Sequence, residues 1–163
     1  MKVYQKKELS LKLLDAKIDK LRNVVAPSTI FNVQWSVGDR ENAIEDGTTG
    51  VGDCLKFDFA FEILGWTIME AEGPIKFDIY ARYKDEPDRN GTICGENYPE
   101  TTDERYLEST ALTDWTHTKF AAGTVLQALA FDIDGVTIAH LSLKCKRITG
   151  GDIVTYDDYV PDS

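Results

Sequence analysis

The sequence predicts a mainly β protein, an antiparallel β-sandwich of jelly-roll type preceded by one N-terminal amphipathic helix. Three observations point to it. Residues 55–83 hold two alternating runs. In the first, Leu55, Phe57, Phe59, Phe61 and Ile63 point one way, with Lys56, Asp58, Ala60 and Glu62 between them. After a break at Gly73-Pro74, Ile75, Phe77, Ile79, Ala81 and Tyr83 share one face and Lys76, Asp78, Tyr80 and Arg82 the other. A period of two is the signature of a half-buried strand, and a helix here would carry aromatics on every side. A second block of alternation follows Trp115. Helical periodicity is confined to one stretch near the N-terminus.

That stretch spans residues 4–25. Leu11, Leu14, Ile18, Leu21 and Val25 recur at alternating spacings of three and four, which places them on one stripe. Glu8 and Lys12 are set to pair one turn apart, and Pro27 ends the helix because it has no N–H to donate. A helix of this length is marginal alone in water, so its stripe needs a cover. Either it self-associates as a short coiled coil or it docks on another surface, its own sandwich included. Residues 1–26 are therefore read as a helical segment, 27–149 as the sandwich and 150–163 as an acidic tail.

Within the sandwich, Phe31, Val33, Trp35 and Val37 interleave with Asn32, Gln34 and Ser36 as a first strand. Gly38 to Asp53 is rich in Gly and Asp. No Lys-Ser/Thr follows its glycines and its acids miss the EF-hand spacing, so it reads as a loop rather than a phosphate cradle or calcium site. Lys84 to Thr113 is a long polar connection, with a brief strand at Thr92-Ile93-Cys94. Its acids (Asp85, Glu86, Asp88, Glu96, Glu100, Asp103 and Glu104) read as a solvated face rather than a metal site.

In the second block, Val125, Gln127, Leu129, Phe131 and Ile133 alternate with Leu126, Ala128 and Ala130. Both faces are largely apolar, as in a strand covered on both sides. Asp134-Gly135 is a hairpin signal. The last strand puts Ala139, Leu141, Leu143 and Cys145 inward and His140, Ser142, Lys144 and Lys146 outward. Val136 and Ile138 fall on its outward phase, which suggests an outer face covered by a subunit contact.

Composition narrows the function. A net charge of -10 argues against nucleic acid, which needs clustered Lys and Arg. No apolar run is long enough to insert in a membrane, and the charged N-terminus has no signal-peptide core, so synthesis in a cytoplasm is expected. Cys54, Cys94 and Cys145 are odd in number and widely spaced, which favours reduced, buried thiols over a disulfide framework.

With both blocks in view, the sequence resembles a β-sandwich module of structural proteins from tailed bacteriophages, in tail-fibre and other virion appendage proteins. The first half of the pattern is Ile44-Glu45-Asp46-Gly47 with Gly50, then Ile63-Leu64-Gly65-Trp66-Thr67-Ile68, Gly73, Ile75 and Asp78-Ile79-Tyr80. The second is Leu112-Thr113-Asp114-Trp115-Thr116, Ala122-Gly123-Thr124-Val125-Leu126, Phe131-Asp132-Ile133-Asp134, and Leu141-Ser142-Leu143-Lys144 with Arg147. Asp114 stands where the family often has Gly. The resemblance implies a virion component, commonly a homotrimer, assembled in the host cytoplasm, with no catalysis and no cofactor.

Catalytic motifs are absent: there is no Gly-x-Ser-x-Gly elbow and no His-Glu-x-x-His. His117 and His140 read as surface or packing residues, and Asp78 and Asp132 as ordinary strand carboxylates rather than a glycosidase pair. Trp66 and Trp115 read as core plugs. Two functions remain. One is a decoration, head-fibre or tail appendage subunit that acts by assembly through Leu11, Leu14, Ile18, Leu21 and Val25. The other is a receptor-binding tip for host-surface glycan, with Tyr98 and Tyr106 as its recognition residues.

Overall fold

A computed structural model describes residues 29–45, 54–83 and 86–148, with backbone alone at 83 and 86–90. The expected helix over 4–25 and the tail over 150–163 lie outside the described residues, as does 46–53 of the Gly-rich loop.

The described chain makes two antiparallel sheets. Sheet A contains β1 (Ile30–Gly38), β3 (Phe61–Met69), β7 (Tyr106–Ser109), β8 (Lys119–Phe120) and β10 (Ile138–Arg147). Sheet B contains β2 (Leu55–Lys56), β4 (Ile75–Tyr83), β5 (Glu86–Thr92), β6 (Glu100–Thr101) and β9 (Thr124–Phe131). Pairing is nested. β1 lies on β10 and β2 on β9; β3 takes β7 and β8, and β4 takes β5 and β6. The chain is thus doubled back on itself and wrapped so that β1, β2, β3 and β4 alternate between sheets, the path of a jelly roll.

Side-chain phase follows the alternation in most strands. Val33, Trp35 and Val37 of β1, Ile75, Phe77, Ile79 and Ala81 of β4, and Ala139, Leu141, Leu143 and Cys145 of β10 are all buried. Gly38 closes β1 with φ +88°, and a Cβ there would sit 2.1 Å from the Thr137 carbonyl oxygen, so only glycine fits.

Several expectations are corrected. Residues 55–63 are not one strand. β2 pairs with β9 in sheet B, the chain bends at Asp58-Phe59, and β3 starts at Phe61 in sheet A. The alternation persists across this bend because both sheets face the same core. Phe57 and Phe61, on either side of it, bring their ring centroids within 4.5 Å. Within β3 the inward phase then changes from Phe61 and Ile63 to Trp66 and Ile68. A bulge absorbs the change: Cys145 faces Ile63 and Lys144 faces Gly65, leaving Leu64 as the extra residue.

The polar connection 84–113 contains three strands, β5, β6 and β7. They lie at sheet margins, and their sequences show no apolar alternation. The brief strand expected at Thr92-Ile93-Cys94 is the end of β5, with Ile93 and Cys94 buried beyond it. Asp134-Gly135 does not make a hairpin, since β9 and β10 belong to different sheets. Val136, expected outward, is fully buried before β10 begins, and its carbonyl accepts the Ile44 N–H at 2.8 Å. Leu126, Ala128 and Ala130 are the inward side of β9, while Val125, Leu129 and Phe131 are only half-buried on the outer side. Cys94 and Cys145 are buried, but Cys54 is exposed.

Candidate functional site

The most heavily built polar region lies on the outer side of sheet B. Asp78 is on the outward phase of β4, yet it is only 7% exposed. The chain beyond β5 folds over it: the Ile93 N–H donates to the Ile79 carbonyl at 2.9 Å, and Gly95 turns with φ +59°. A Cβ on Gly95 would meet the Asp114 carbonyl oxygen at 2.3 Å, so this overlay requires glycine. The Thr92 hydroxyl donates to Asp78 Oδ1 at 2.5 Å and accepts from the Cys94 N–H at 3.4 Å. Burial, with Asp78 beside it, pushes the Tyr80 phenol up to about 12. Burial also pushes the Cys94 thiol up. Neutral phenol and thiol around one hydrogen-bonded carboxylate hold a segment in place; neither is poised as a nucleophile at neutral pH.

Trp66 and Trp115 are buried, as their reading as core plugs requires. The Trp115 indole N–H donates to the Asn97 carbonyl at 2.8 Å, which ties the overlay to the second block. Tyr98 packs edge-on against Phe131, with centroids 5.0 Å apart at 82°. Tyr106 is 59% exposed at the margin of sheet A, and its hydroxyl donates to Glu108 at 2.9 Å. Tyr98 thus lies in the connection between β5 and β6, packed over sheet B, whereas Tyr106 is a residue of sheet A.

Beside Tyr98, a shallow cleft of ≈ 430 Å³ is lined by Trp66, Asn97, Glu100, Glu104, Leu107 and Glu108 among others. Glu104 sits below the usual carboxylate range because it accepts the Thr101 hydroxyl and nearby main-chain amides. Glu100 and Asp132 both pair with Lys76, at 3.4 and 3.2 Å, and raise its pKa, the Asp132 bond contributing most. Asp78 and Asp132 are thus each engaged with a different partner.

At the Gly38 end of the molecule, Arg40 pairs with Glu70 at 2.6 Å and Arg105 pairs with Glu72. These four residues, with Thr137 and Ile138, line a cleft of ≈ 320 Å³. Arg40 (φ 72°) and Glu70 (φ 63°) are both left-handed, an uncommon state for non-glycine residues. His140 Nδ1 lies 2.7 Å from the Ser36 hydroxyl and its Nε2 lies 3.6 Å from Glu70. Among the described residues, no three His, Cys, Asp or Glu side chains converge as metal ligands. Sequence reasoning missed Thr92, Arg40 and Glu70; nothing local in the sequence marks a left-handed Arg or a threonine that lands on a carboxylate in another strand.

The described residues define a two-sheet antiparallel β-sandwich. Among solved structures, this chain is similar to the capsid of Ralstonia phage GP4, with 12% identity over 75% of this chain and 86% of that one, at a TM-score of 0.46. It is also similar to the globular domain of zebrafish complement 1qA (8% identity, 76% and 98% coverage, TM-score 0.39). A third likeness is to a Clostridium thermocellum xylanase 10B fragment with a CBM22 module. There the identity is 12% over 74% of this chain and 25% of that one, at a TM-score of 0.38. Likenesses this distant transfer no function to the chain. No protein-family model matches it, and no curated protein sequence does.

Proposed function

We propose that this protein is a structural component of a tailed-bacteriophage virion, a capsid decoration, head-fibre or tail appendage subunit that acts by protein–protein assembly. The observation that carries the reading is the outer side of β9. Val125 and Leu129 occupy positions that a solvent-facing strand gives to polar residues and are half-buried, as is Phe131, against which Tyr98 of the same chain packs edge-on. An apolar outer face of this kind is what a neighbouring subunit covers. The sequence pattern shared with phage appendage modules supports the same reading, as does the use of Asp78, Thr92 and Trp115 to brace the fold. In this reading the protein is a homotrimer, joined or docked through Leu11, Leu14, Ile18, Leu21 and Val25, and it catalyses nothing.

The test is location. Mass spectrometry and immunogold labelling of purified particles should place the protein on the capsid surface or the tail. A protein abundant in infected cells but absent from particles would refute the proposal.

A second reading rests on the cleft beside Tyr98. An aromatic ring there adjoins Asn97, Glu104 and Glu108. Stacking plus polar side chains is the chemistry that recognises a sugar. Glycan-array binding that is lost in Tyr98→Ala, with the fold intact, would favour a host-surface glycan receptor function.

A further inference from the structure

The margins of the two sheets are not alike. An exposed sheet edge is a template for another strand, and proteins blunt it with short strands, charges, proline or bulges. Three margins follow that rule. β2 has only two residues, β5 carries Pro87 with Glu86, Asp88 and Arg89, and β7 is four residues long and includes Glu108. β1 does not. It is nine residues long, Ile-Phe-Asn-Val-Gln-Trp-Ser-Val-Gly, with no charge and no proline. It runs against β10 through every residue from Ile30 to Gly38 without a register shift.

The hydrogen-bond phase shows which groups face outward from this edge. The Arg147 N–H donates to the Thr29 carbonyl at 3.0 Å, one step beyond the Ile30–Lys146 pair. Antiparallel pairs alternate between bonded and non-bonded. Odd-numbered residues therefore bond to β10, and the main-chain groups of Ile30, Asn32, Gln34 and Ser36 point away from it. Among the described residues no strand pairs with that side. The side chains of Ile30, Asn32, Gln34 and Ser36 are all exposed.

We propose that β1 is a self-association edge, which pairs antiparallel with β1 of a second copy of this chain about a two-fold axis at Gln34. The pairing joins two A sheets into one. Gln34 lies opposite the second copy's Gln34, Asn32 opposite Ser36, and Ile30 opposite Gly38. A second copy is the fitting occupant for two reasons. Phe31, Val33, Trp35 and Val37 of β1 face inward and Ile30 alone of its apolar residues other than Gly38 faces outward, so two such strands in this register put these four side chains on the same side of the joined sheet. The chain also carries a net charge of -10, so two copies repel over most of their surface, whereas β1 contributes no charge. An edge without charge lets like-charged copies approach through main-chain bonds. The residues of this edge are not those of the Leu11–Val25 stripe, and the proposal does not depend on the virion reading. With a three-fold at the stripe it gives six protomers, and without one it gives two.

The test uses the full chain. Light scattering at micromolar concentration should give an even number of protomers. Gln34→Lys, which sets two ammonium groups face to face, and Gln34→Pro, which removes the central donor, should each halve that mass with the β circular dichroism unchanged. Register is checked in a Cys54→Ser background. Gln34→Cys should form a disulfide-linked dimer under mild oxidation. Asn32→Cys should link only when mixed with Ser36→Cys. A monomeric protein overturns the proposal. So does a three-protomer mass that neither Gln34 variant alters, which would leave the virion reading standing. If a Gln34 variant loses its β signal, the crosslinking register decides, and failure of Gln34→Cys to link overturns the proposal.

Discussion

The Thr92 hydroxyl donates to Asp78 Oδ1 across the outer side of sheet B, and this bond joins the Ile93–Ile79 main-chain bond in holding the segment that leaves β5. Asp78 is nearly buried, so the bond replaces water that the carboxylate has lost. Thr92→Val keeps the shape and removes the donor. A buried acceptor left short of a partner costs about 1–3 kcal/mol. Denaturant unfolding should therefore show a lower midpoint with an unchanged slope. Thr92→Ser, which restores the hydroxyl, should recover most of the loss.

The three cysteines should separate by reactivity. Cys54 is exposed, whereas burial pushes the Cys94 thiol up and the Cys145 thiol up to about 12. A thiol reagent at neutral pH should modify one site per native chain, and Cys54→Ser should abolish that reaction. Cys94 and Cys145 should react only in denaturant, at the rate of unfolding or local opening. Fast modification of two or three sites in the native protein would mean that the core is open.

Alkaline pH should destabilise the fold through Tyr80. Its folded pKa is about 12, raised by burial and by Asp78 from the usual 10. The proton is held more tightly in the folded state, so the stabilisation is complete below pH 10 and is lost as pH rises towards 12. Thermal stability should fall across that window, and Tyr80→Phe should flatten the fall. Absorbance of the phenolate near 295 nm should show a late-titrating group in the wild type that is missing from the variant.

Leu14→Asp or Ile18→Asp places a carboxylate in the apolar stripe of the N-terminal segment. Either variant should lower the assembled mass measured by light scattering while the sandwich keeps its β circular dichroism. Loss of the β signal would instead make residues 4–25 part of the sandwich core.

The inward faces of β1, β4 and β10 were legible residue by residue. Alternation is a local property, and one side of each strand meets the core whatever its neighbours are. Trp66 and Trp115 were legible as plugs for the same reason. Three features were decided only by the tertiary structure. Residues 55–63 read as one strand but cross between sheets, because both sheets point their apolar sides at a shared core and the pattern is blind to which sheet carries it. Asp134-Gly135 marks a real turn, but whether a turn closes a hairpin depends on where the next strand finds its partner, and β10 finds β1 about a hundred residues back. Apart from the end of β5 at Thr92, the margin strands β5, β6 and β7 left no trace in the sequence, nor did the Asp78–Thr92 bond or the left-handed Arg40–Glu70 pair. Each depends on a contact between distant residues, and hydrophobic periodicity records only burial.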